Sequence, residues 1–208
     1  MKSIFNFIVK PTNERYDNEI SIGDKKLIIN TKIEDFVNIS RHATVVNVPL
    51  AYKTSINIGD EIIVHHNIFR RWYDMKGKER NSAKYFKDNL YFADADQIFL
   101  YKKNNQWLSF NDRCFVKPIK NNDEFKTDKT EELFGILKIS NSSLEALGLS
   151  VGDVVSYPPK REWEFVLDGE LLYCMKSYDI VLKHEHKENQ TEYNPSWASS
   201  RRGINQSC

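Results

Sequence analysis

The stretch Ile56-Asn57-Ile58-Gly59-Asp60-Glu61-Ile62-Ile63-Val64 returns in a second form as Leu149-Ser150-Val151-Gly152-Asp153-Val154-Val155-Ser156-Tyr157. Each copy places two apolar residues, separated by one other residue, directly before a Gly-Asp pair. Glycine allows a positive φ and aspartate can cap its own backbone, so the pair predicts a tight turn. The β-branched residues that follow suit a half-buried strand. The same turn and strand in two places predict an internal repeat.

The repeat extends to both sides of this turn. The corresponding segments are 7–11 with 114–118, 90–92 with 172–174, and 97–100 with 179–182. The interval from Lys10 to Gly59 is 49 residues, and that from Lys117 to Gly152 is 35. Copies that keep the order of their strands and differ in loop length predict two similar β domains in tandem.

The domain boundaries follow from the spacing of these copies within 208 residues. We predict one domain at 1–103, a second at 104–187 and a flexible polar tail at 188–208. The polar run at 102–106 is the predicted linker. Roughly 100 residues per copy can bury a modest core.

The composition is that of a globular protein with little net charge. Hydrophobic residues make up 40% and aromatic residues 12% of the chain. Lys and Arg total 30 against 29 Asp and Glu. Dedicated nucleic-acid binders usually carry a clear basic excess. We therefore do not expect nucleic acid among the partners.

The sequence shows no targeting signal, and this together with its cysteines favours a cytoplasmic protein. The longest apolar runs are far shorter than the ~20 residues needed to span a bilayer, so no membrane partner is expected. The first residues show no secretory leader. Cys114, Cys174 and Cys208 are an odd number without CxxC spacing. Free thiols in a reducing compartment are the simplest interpretation.

An apolar triplet, Leu27-Ile28-Ile29, interrupts the polar sequence of the first copy. The preceding residues 12–26 are polar and mixed in charge, which predicts a long loop. The triplet has two interpretations. It can form a short strand that pairs within the domain, or it can be a docking motif that another protein buries.

Residues 67–84 form an aromatic and basic excursion. Arg70, Arg71, Trp72 and Tyr73 are its candidate site residues, predicted as a secondary interface. Basic and aromatic residues together can bind single-stranded nucleic acid. The interpretation we favour is a hairpin whose Phe69, Trp72 and Tyr73 cap the barrel while its cations remain solvated.

The acidic residues do not predict a catalytic site, and known catalytic or nucleotide-binding motifs are absent from the sequence. Asp88, Asp94 and Asp96 lack the spacing of a calcium loop and read as turn residues. The chain has no GxGxxG, and no recognisable motif pairs a Ser or Cys nucleophile with a base. We expect no enzymatic activity and no cofactor.

The two histidine clusters do not predict a metal site either. Neighbours His65 and His66 point to opposite faces if they lie on a strand. His184 and His186 share a face and could chelate, yet they end the last strand, where a solvated pair is favoured. We therefore expect no bound metal.

The assembled pattern resembles the chaperonin-10 (GroES-like) co-chaperonin family. Asn111-Asp112-Arg113 with Val116-Lys117-Pro118 is similar to the family's opening strand, and Val151-Gly152-Asp153-Val154-Val155 to its Val-Gly-Asp turn. Phe165 to Leu182 resembles the closing hairpin, with Asp179-Ile180 where the family has its late Asp-Ile. The first copy shows the same blocks more loosely. The resemblance spans roughly residues 5 to 185.

The resemblance implies a fold and a function. It implies an all-β protein of two tandem GroES-like small β-barrels, self-associating into a ring that lids a chaperonin-60 type cage. Family members dock through an apolar tripeptide in a mobile loop, the place that Leu27-Ile28-Ile29 occupies here. ATP is then bound by the chaperonin. A phage or bacterial version in the cytoplasm fits this sequence.

Two further hypotheses remain open at the level of sequence. One is a structural protein, for example of a virion, that keeps the fold without chaperonin binding and uses the excursion and the tail as interfaces. The other is a nucleic-acid binder that uses the excursion.

Overall fold

The computed structural model describes residues 2–16, 19–22, 25–28, 39–121, 130–184 and 190–200. The protein is mostly β, with 48% of these residues in strands and two short helices. The chain divides into two compact units, and the boundary falls between Gln106 and Trp107. In the described part, no helix has the length and apolar character to cross a bilayer.

Ten strands of the first unit lie in the described residues. They are β1 Phe7–Pro11, β2 Glu19–Ile22, β3 Lys25–Ile28, β4 His42–Asn47, β5 Glu61–Val64, β6 Arg71–Tyr73, β7 Glu79–Asn81, β8 Tyr85–Lys87, β9 Leu90–Ala93 and β10 Ile98–Lys103. The next strand along the chain is β11, Gln106–Ser109. A seven-stranded sheet runs in the order β11-β10-β5-β4-β1-β9-β8. Strands β2 and β3 form one separate hairpin, and β6 and β7 form another.

The second unit is built on a six-stranded sheet. Its strands and helices are β11 Gln106–Ser109, β12 Arg113–Lys120, β13 Thr130–Ile139, α1 Ser142–Ala146, β14 Val154–Ser156, β15 Trp163–Leu167, β16 Glu170–Lys176, β17 Leu182–His184 and α2 Ser196–Ser200. The sheet runs in the order β15-β16-β12-β13-β14-β17. Strand β11 spans the boundary between the units. Neither large sheet closes on itself among the described strands.

The strand order of one copy is repeated in the other. The first sheet includes the run β8-β9-β1-β4-β5-β10, and the second is β15-β16-β12-β13-β14-β17. We number the six strands of each run from 1 to 6 in chain order and leave out the two separate hairpins. Both runs then have the order 4-5-1-2-3-6. The internal repeat predicted from sequence is therefore present as a repeated topology.

The two copies also share an irregularity in register. The pairing of β1 with β4 shifts between Ile8 and Val9, and the pairing of β12 with β13 shifts between Phe115 and Val116. These are the positions that the sequence repeat places in correspondence. An extra residue at a bulge bends and twists its strand. Both copies therefore carry this register shift at the same point of the repeat.

The Gly-Asp turn has the same backbone geometry in each copy. Gly59 has a φ of 93° and Gly152 one of 97°. The amide of Gly59 donates to the carbonyl of Val45 at 2.8 Å, and that of Gly152 to the carbonyl of Leu137 at 2.8 Å. The predicted positive φ is confirmed in both copies.

The aspartate of each turn closes the loop from its side chain. The Asn57 amide donates to Asp60 Oδ2 at 2.8 Å, and the Ser150 amide donates to Asp153 Oδ2 at 2.7 Å. Asp153 also pairs with Lys183 Nζ at 2.6 Å. The hydrogen bond from Lys183, with that from the Ser150 amide, lowers the pKa of the Asp153 carboxyl.

A helix cap and a hairpin turn in the second copy are also specified by local sequence. Asn141 caps α1 by accepting from the amides of Ser143 and Leu144, and the turn ends at Gly148 with a φ of 81°. Asp168-Gly169 connects β15 to β16 as a two-residue hairpin. The first copy has a hairpin in the same place, between β8 and β9, made by Asp88 and Asn89 at φ of 50° and 59°.

The predicted linker at 102–106 ends where the two units divide. It contains a tight turn, because Asn104 and Asn105 adopt φ of 49° and 62° and connect β10 directly to β11. Asparagine tolerates the left-handed region better than most residues. The prediction of a long loop at 12–26 is wrong, because the β2–β3 hairpin begins there: Glu19–Ile22 alternates polar and apolar residues as a strand does.

The described part of the tail, 190–200, packs against the second unit, although the sequence predicts a flexible tail. The Lys120 amide donates to the carbonyl of Thr191 at 2.7 Å, and the Tyr193 amide to that of Pro118 at 2.8 Å. Ala198 in α2 is fully buried in a cluster with Val166 and Leu171. The tail thereby extends the pairing of β12.

Cysteine and lysine side chains lie in the core of the second unit. Cys114 and Cys174 are free and buried, as expected, and burial raises the pKa of the Cys114 thiol. Lys117 is only 2% exposed, and its Nζ lies 3.1 Å from Asn194 Oδ1 and 3.4 Å from Glu170 Oε2. Burial lowers the pKa of the Lys117 ammonium group. Its counterpart in the first copy, Lys10, is exposed.

The repeated turn predicts equal costs for equal substitutions. An added Cβ at Gly59 or Gly152 meets no atom within 4 Å, so alanine there is strained by backbone conformation and not by a clash. Gly59→Ala and Gly152→Ala should each lower the free energy of unfolding by about 1–2 kcal/mol. Urea denaturation followed by circular dichroism measures this, with Asn57→Ala as the control. A cost in one copy only would contradict the equivalence of the turns.

Candidate functional site

The apolar triplet lies partly in the β2–β3 hairpin. Leu27 pairs with Ile20 and Ile28 with Glu19, so the backbone of both residues is that of a strand. Ile29 lies outside the described residues. The hairpin belongs to the connection between β1 and β4, the first and second strands of the copy. Pairing within the domain is thus present for Leu27 and Ile28, whereas docking remains a prediction.

The excursion at 67–84 forms the β6–β7 hairpin. Arg71 pairs with Asn81, Trp72 with Arg80, and Tyr73 with Glu79. The hairpin stands apart from the large sheet of its unit.

The aromatic residues of the excursion separate into buried and exposed ones. Phe69 is fully buried and contacts the edge of the Tyr91 ring at a centroid distance of 4.9 Å. Trp72 is 42% and Tyr73 50% exposed, and Met75 at the tip is fully exposed. The predicted hairpin is confirmed, and Phe69 lies in the core of the unit. Trp72 and Tyr73, which were predicted to cap a barrel together with Phe69, are exposed on the hairpin instead.

The base of the hairpin is fixed by Arg15. Its guanidinium donates to the carbonyl of Phe69 at 2.8 Å and to Asn81 Oδ1 at 2.9 Å, one bond to each side of the hairpin. It also lies 5.2 Å from the centre of the Tyr91 ring. Burial lowers the pKa of the Arg15 guanidinium below its usual value. A planar guanidinium with several donors suits a clamp of this kind.

Tyr16 provides a second anchor beside Arg15. Its hydroxyl accepts a hydrogen bond from the Arg71 amide at 2.8 Å, and the Arg71 guanidinium lies 4.4 Å from the centre of its ring. The Ser82 hydroxyl donates to the carbonyl of Ile68 at 2.6 Å. Both ends of the hairpin are therefore held by contacts with the body of the unit and with each other.

The tip of the hairpin is organised by Asp74. Its Oδ1 accepts from the amides of Lys76 and Lys78, each at 2.9 Å, and its Oδ2 accepts from Arg80 Nε at 3.0 Å. These bonds, that of the Lys78 amide first, lower the pKa of the Asp74 carboxyl. The exposed hairpin therefore has a defined shape at its base and at its tip.

A groove of about 510 Å³ runs beside the hairpin. Its lining combines two cations, an aromatic ring, two amides and two small residues: Arg70, Lys84, Trp72, Asn67, Gln97, Ser82 and Ala83. Trp72 Nε1 donates to the carbonyl of Asn81 at 3.3 Å, which restrains the indole at the wall of the groove. Lys84 pairs with Asp94. Of the four predicted site residues, Arg70 and Trp72 line this groove.

No protein-family model matches the sequence, and no curated protein matches it at a significant level.

The His65-His66 pair has a different geometry from the one predicted. Strand β5 ends at Val64, and His65 precedes a single 3-10 turn that begins at His66. The two rings stack with centroids 4.3 Å apart, so the prediction of opposite faces is wrong. Burial lowers the pKa of His66 to about 3, with further contributions from the positive charge of His65 and two arginines. His66 is therefore neutral at physiological pH.

The remaining metal candidates do not come together. His184 Nε2 lies 2.6 Å from the Ser156 hydroxyl, and His186 lies outside the described residues. Asp94 pairs with Lys84 and accepts from Asn6, whereas Asp88 forms a turn. Within the described ranges, no three His, Cys, Asp or Glu residues form a cluster that could hold a metal ion.

The anchoring residues were not predicted from sequence. Arg15 and Tyr16 lie in a polar segment read as a loop, more than 50 residues before their hairpin partners. The groove residues Asn67, Lys84 and Gln97 come from separate parts of the chain. A basic residue beside an aromatic one at 15–16 was the single signal, and it does not specify a partner.

The clamp predicts how the hairpin moves. Arg15→Lys keeps the positive charge but loses the two guanidinium N–H groups that bind both sides of the hairpin. The hairpin should therefore open more often. Hydrogen bonds to a charged group contribute about 1.5–3 kcal/mol, so amide exchange at 71–81 should accelerate about 10- to 100-fold. Hydrogen exchange with mass spectrometry measures this, with the Gly59 and Gly152 turns as internal controls. Unchanged exchange at 71–81 would show that Arg15 is not the clamp.

Proposed function

We propose that the chain is a co-chaperonin-like protein that caps a chaperonin folding chamber and assists ATP-dependent folding. Each copy is proposed to curl into a GroES-like small β-barrel, and the chains to associate into a ring. The chaperonin supplies the ATP site. The observation that carries the proposal is the apolar hairpin β2–β3 between the first two strands of a repeated β unit.

The repeated topology supports the proposed fold. Both copies have the strand order 4-5-1-2-3-6 and a register shift at equivalent positions between their first two strands. Bulges introduce the curvature that a small barrel requires. The Gly-Asp turn, which in the second copy belongs to the Val-Gly-Asp motif that suggested the family, has one geometry in both copies.

The β2–β3 hairpin suits a docking element. It carries Leu27 and Ile28 and is a two-stranded sheet separate from the large one. A two-stranded hairpin alone is marginally stable in water, so rearranging it on docking costs little. Apolar residues from several chains of a ring would bind weakly one by one and tightly together. The residues proposed to enter the chaperonin are Leu27, Ile28 and Ile29.

A structural role in an assembly, for example a virion, is the second candidate. The exposed Trp72, Tyr73 and Met75 favour it, because an anchored hairpin with apolar residues at its surface is typical of a protein interface. In that case the fold is kept and the chaperonin contact is absent. The hairpin β6–β7 and the tail carry the interfaces.

Substitution in the triplet separates the two candidates. Ile28→Asp should weaken the complex with a bacterial chaperonin at least 10-fold, because burying an isoleucine side chain contributes about 1.5–3 kcal/mol per loop. Binding is measured by surface plasmon resonance with ATP present.

Ile58→Asp is the matched control, since Ile58 is an isoleucine of the same unit that is 63% exposed at the Gly-Asp turn. Circular dichroism of both variants checks the fold. Equal binding by Ile28→Asp and the unchanged protein would exclude the triplet as the docking element. No binding by the unchanged protein would favour the structural role.

A further inference from the structure

The β6–β7 hairpin is an insertion that the sheet does not need. In the second copy, six residues, 157–162, join β14 to β15. In the first copy, twenty residues, 65–84, join the corresponding strands β5 and β8. The same strand order forms with either connection. Arg15 nevertheless anchors the hairpin. Because the sheet does not require the hairpin, the surface of the hairpin is a candidate binding surface.

The segment 70–87, which covers the hairpin and the adjoining strand β8, is rich in positive charge. It contains seven Lys or Arg and two carboxylates, whereas the whole chain has 30 and 29. The near-neutral total therefore hides this basic patch. Charge on one face, and not the net charge, determines attraction to a polyanion.

The two carboxylates of the patch are already engaged. Asp74 binds Arg80, and Glu79 lies 3.3 Å from Arg71. Arg70, Lys76 and Lys78 form no ion pair with any residue in the described part of the chain. Arg70 is exposed on the wall of the groove. A cation placed there without an internal partner suits an anionic ligand.

The groove adds an aromatic platform to this charge. Trp72 lines the groove together with Arg70, Ser82 and Ala83, and its indole is restrained by the bond to Asn81. A volume of about 510 Å³ lies within the roughly 300–1,000 Å³ range of ligand pockets. The amides of Asn67 and Gln97 offer both donors and acceptors.

We propose that this groove binds single-stranded nucleic acid without sequence preference. A base stacks on Trp72, while Arg70 contacts a flanking phosphate and the amides contact the base edge. The exposed rings of Tyr85 and Phe86 in β8 offer further stacking surfaces beside the patch. Positive grooves with stacking rings are the usual means of such binding. An acidic protein segment would use the charges but gain nothing from a restrained indole.

Fluorescence anisotropy of a labelled 20-nucleotide oligothymidine, titrated with the full chain at 50 and 200 mM salt, tests the proposal. Trp72→Ala should weaken binding about 5- to 150-fold, the usual effect of removing one stacking ring. Trp72→Phe should retain most of the affinity. Arg70→Gln should reduce the slope of log affinity against log salt by about 0.7.

Lys160→Gln is the matched control, because Lys160 is an exposed cation of the second unit outside the groove. It should leave both affinity and slope unchanged. No binding at 50 mM salt would overturn the proposal, and so would equal binding by Trp72→Ala. Competition by polyglutamate as strong as by unlabelled oligothymidine would assign the groove to acidic proteins instead. None of these outcomes depends on the chaperonin.

Discussion

The backbone of one residue in each copy, Val45 or Leu137, is held from both sides by the Gly-Asp turn. Its carbonyl accepts from the glycine amide, and its amide donates to the carbonyl of the following aspartate, at 2.8–3.0 Å in both copies. The same residue pairs with Val9 or Val116 directly after the bulge. The turn therefore fixes the second strand against the start of the third strand, at the residue where the second strand also pairs with the first. A slip by one residue would turn the core face of that strand to solvent.

A scaffold that is registered in this way can carry large insertions. Both long insertions lie in the first copy: β2–β3 follows its first strand and β6–β7 follows its third. A longer connection costs only a little more entropy, so the copies keep one strand order despite different loops. The two hairpins have different chemistry. One contains Leu27 and Ile28 in a small separate sheet, and the other has charged residues and exposed rings on a base clamped by Arg15. This difference is the reason for proposing a docking role for the first hairpin and a ligand surface for the second.

The sequence predicted the parts whose signal is local. Gly-Asp at 59–60 and at 152–153 specifies a positive φ within a few residues, and this geometry was confirmed in both copies. The prediction failed where the signal was non-local or compositional. Arg15 acts on partners more than 50 residues away, and polarity alone suggested that 12–26 is a long loop, whereas the β2–β3 hairpin begins there. Whole-chain charge likewise conceals the patch at 70–87. Two residues of the candidate site, Arg70 and Trp72, were therefore predicted from the sequence. The clamp at Arg15 and the groove are seen only in the structure.

Native mass spectrometry of the purified chain, alone and with a bacterial chaperonin and ATP, tests the proposed co-chaperonin function most directly. Weak docking through one hairpin per chain requires several chains acting together, so the account predicts a closed ring. It also predicts that the ring adds to the chaperonin only when nucleotide is present. A chain that forms no ring and ignores the chaperonin in either nucleotide state would contradict it. The repeated β fold would then serve the structural role.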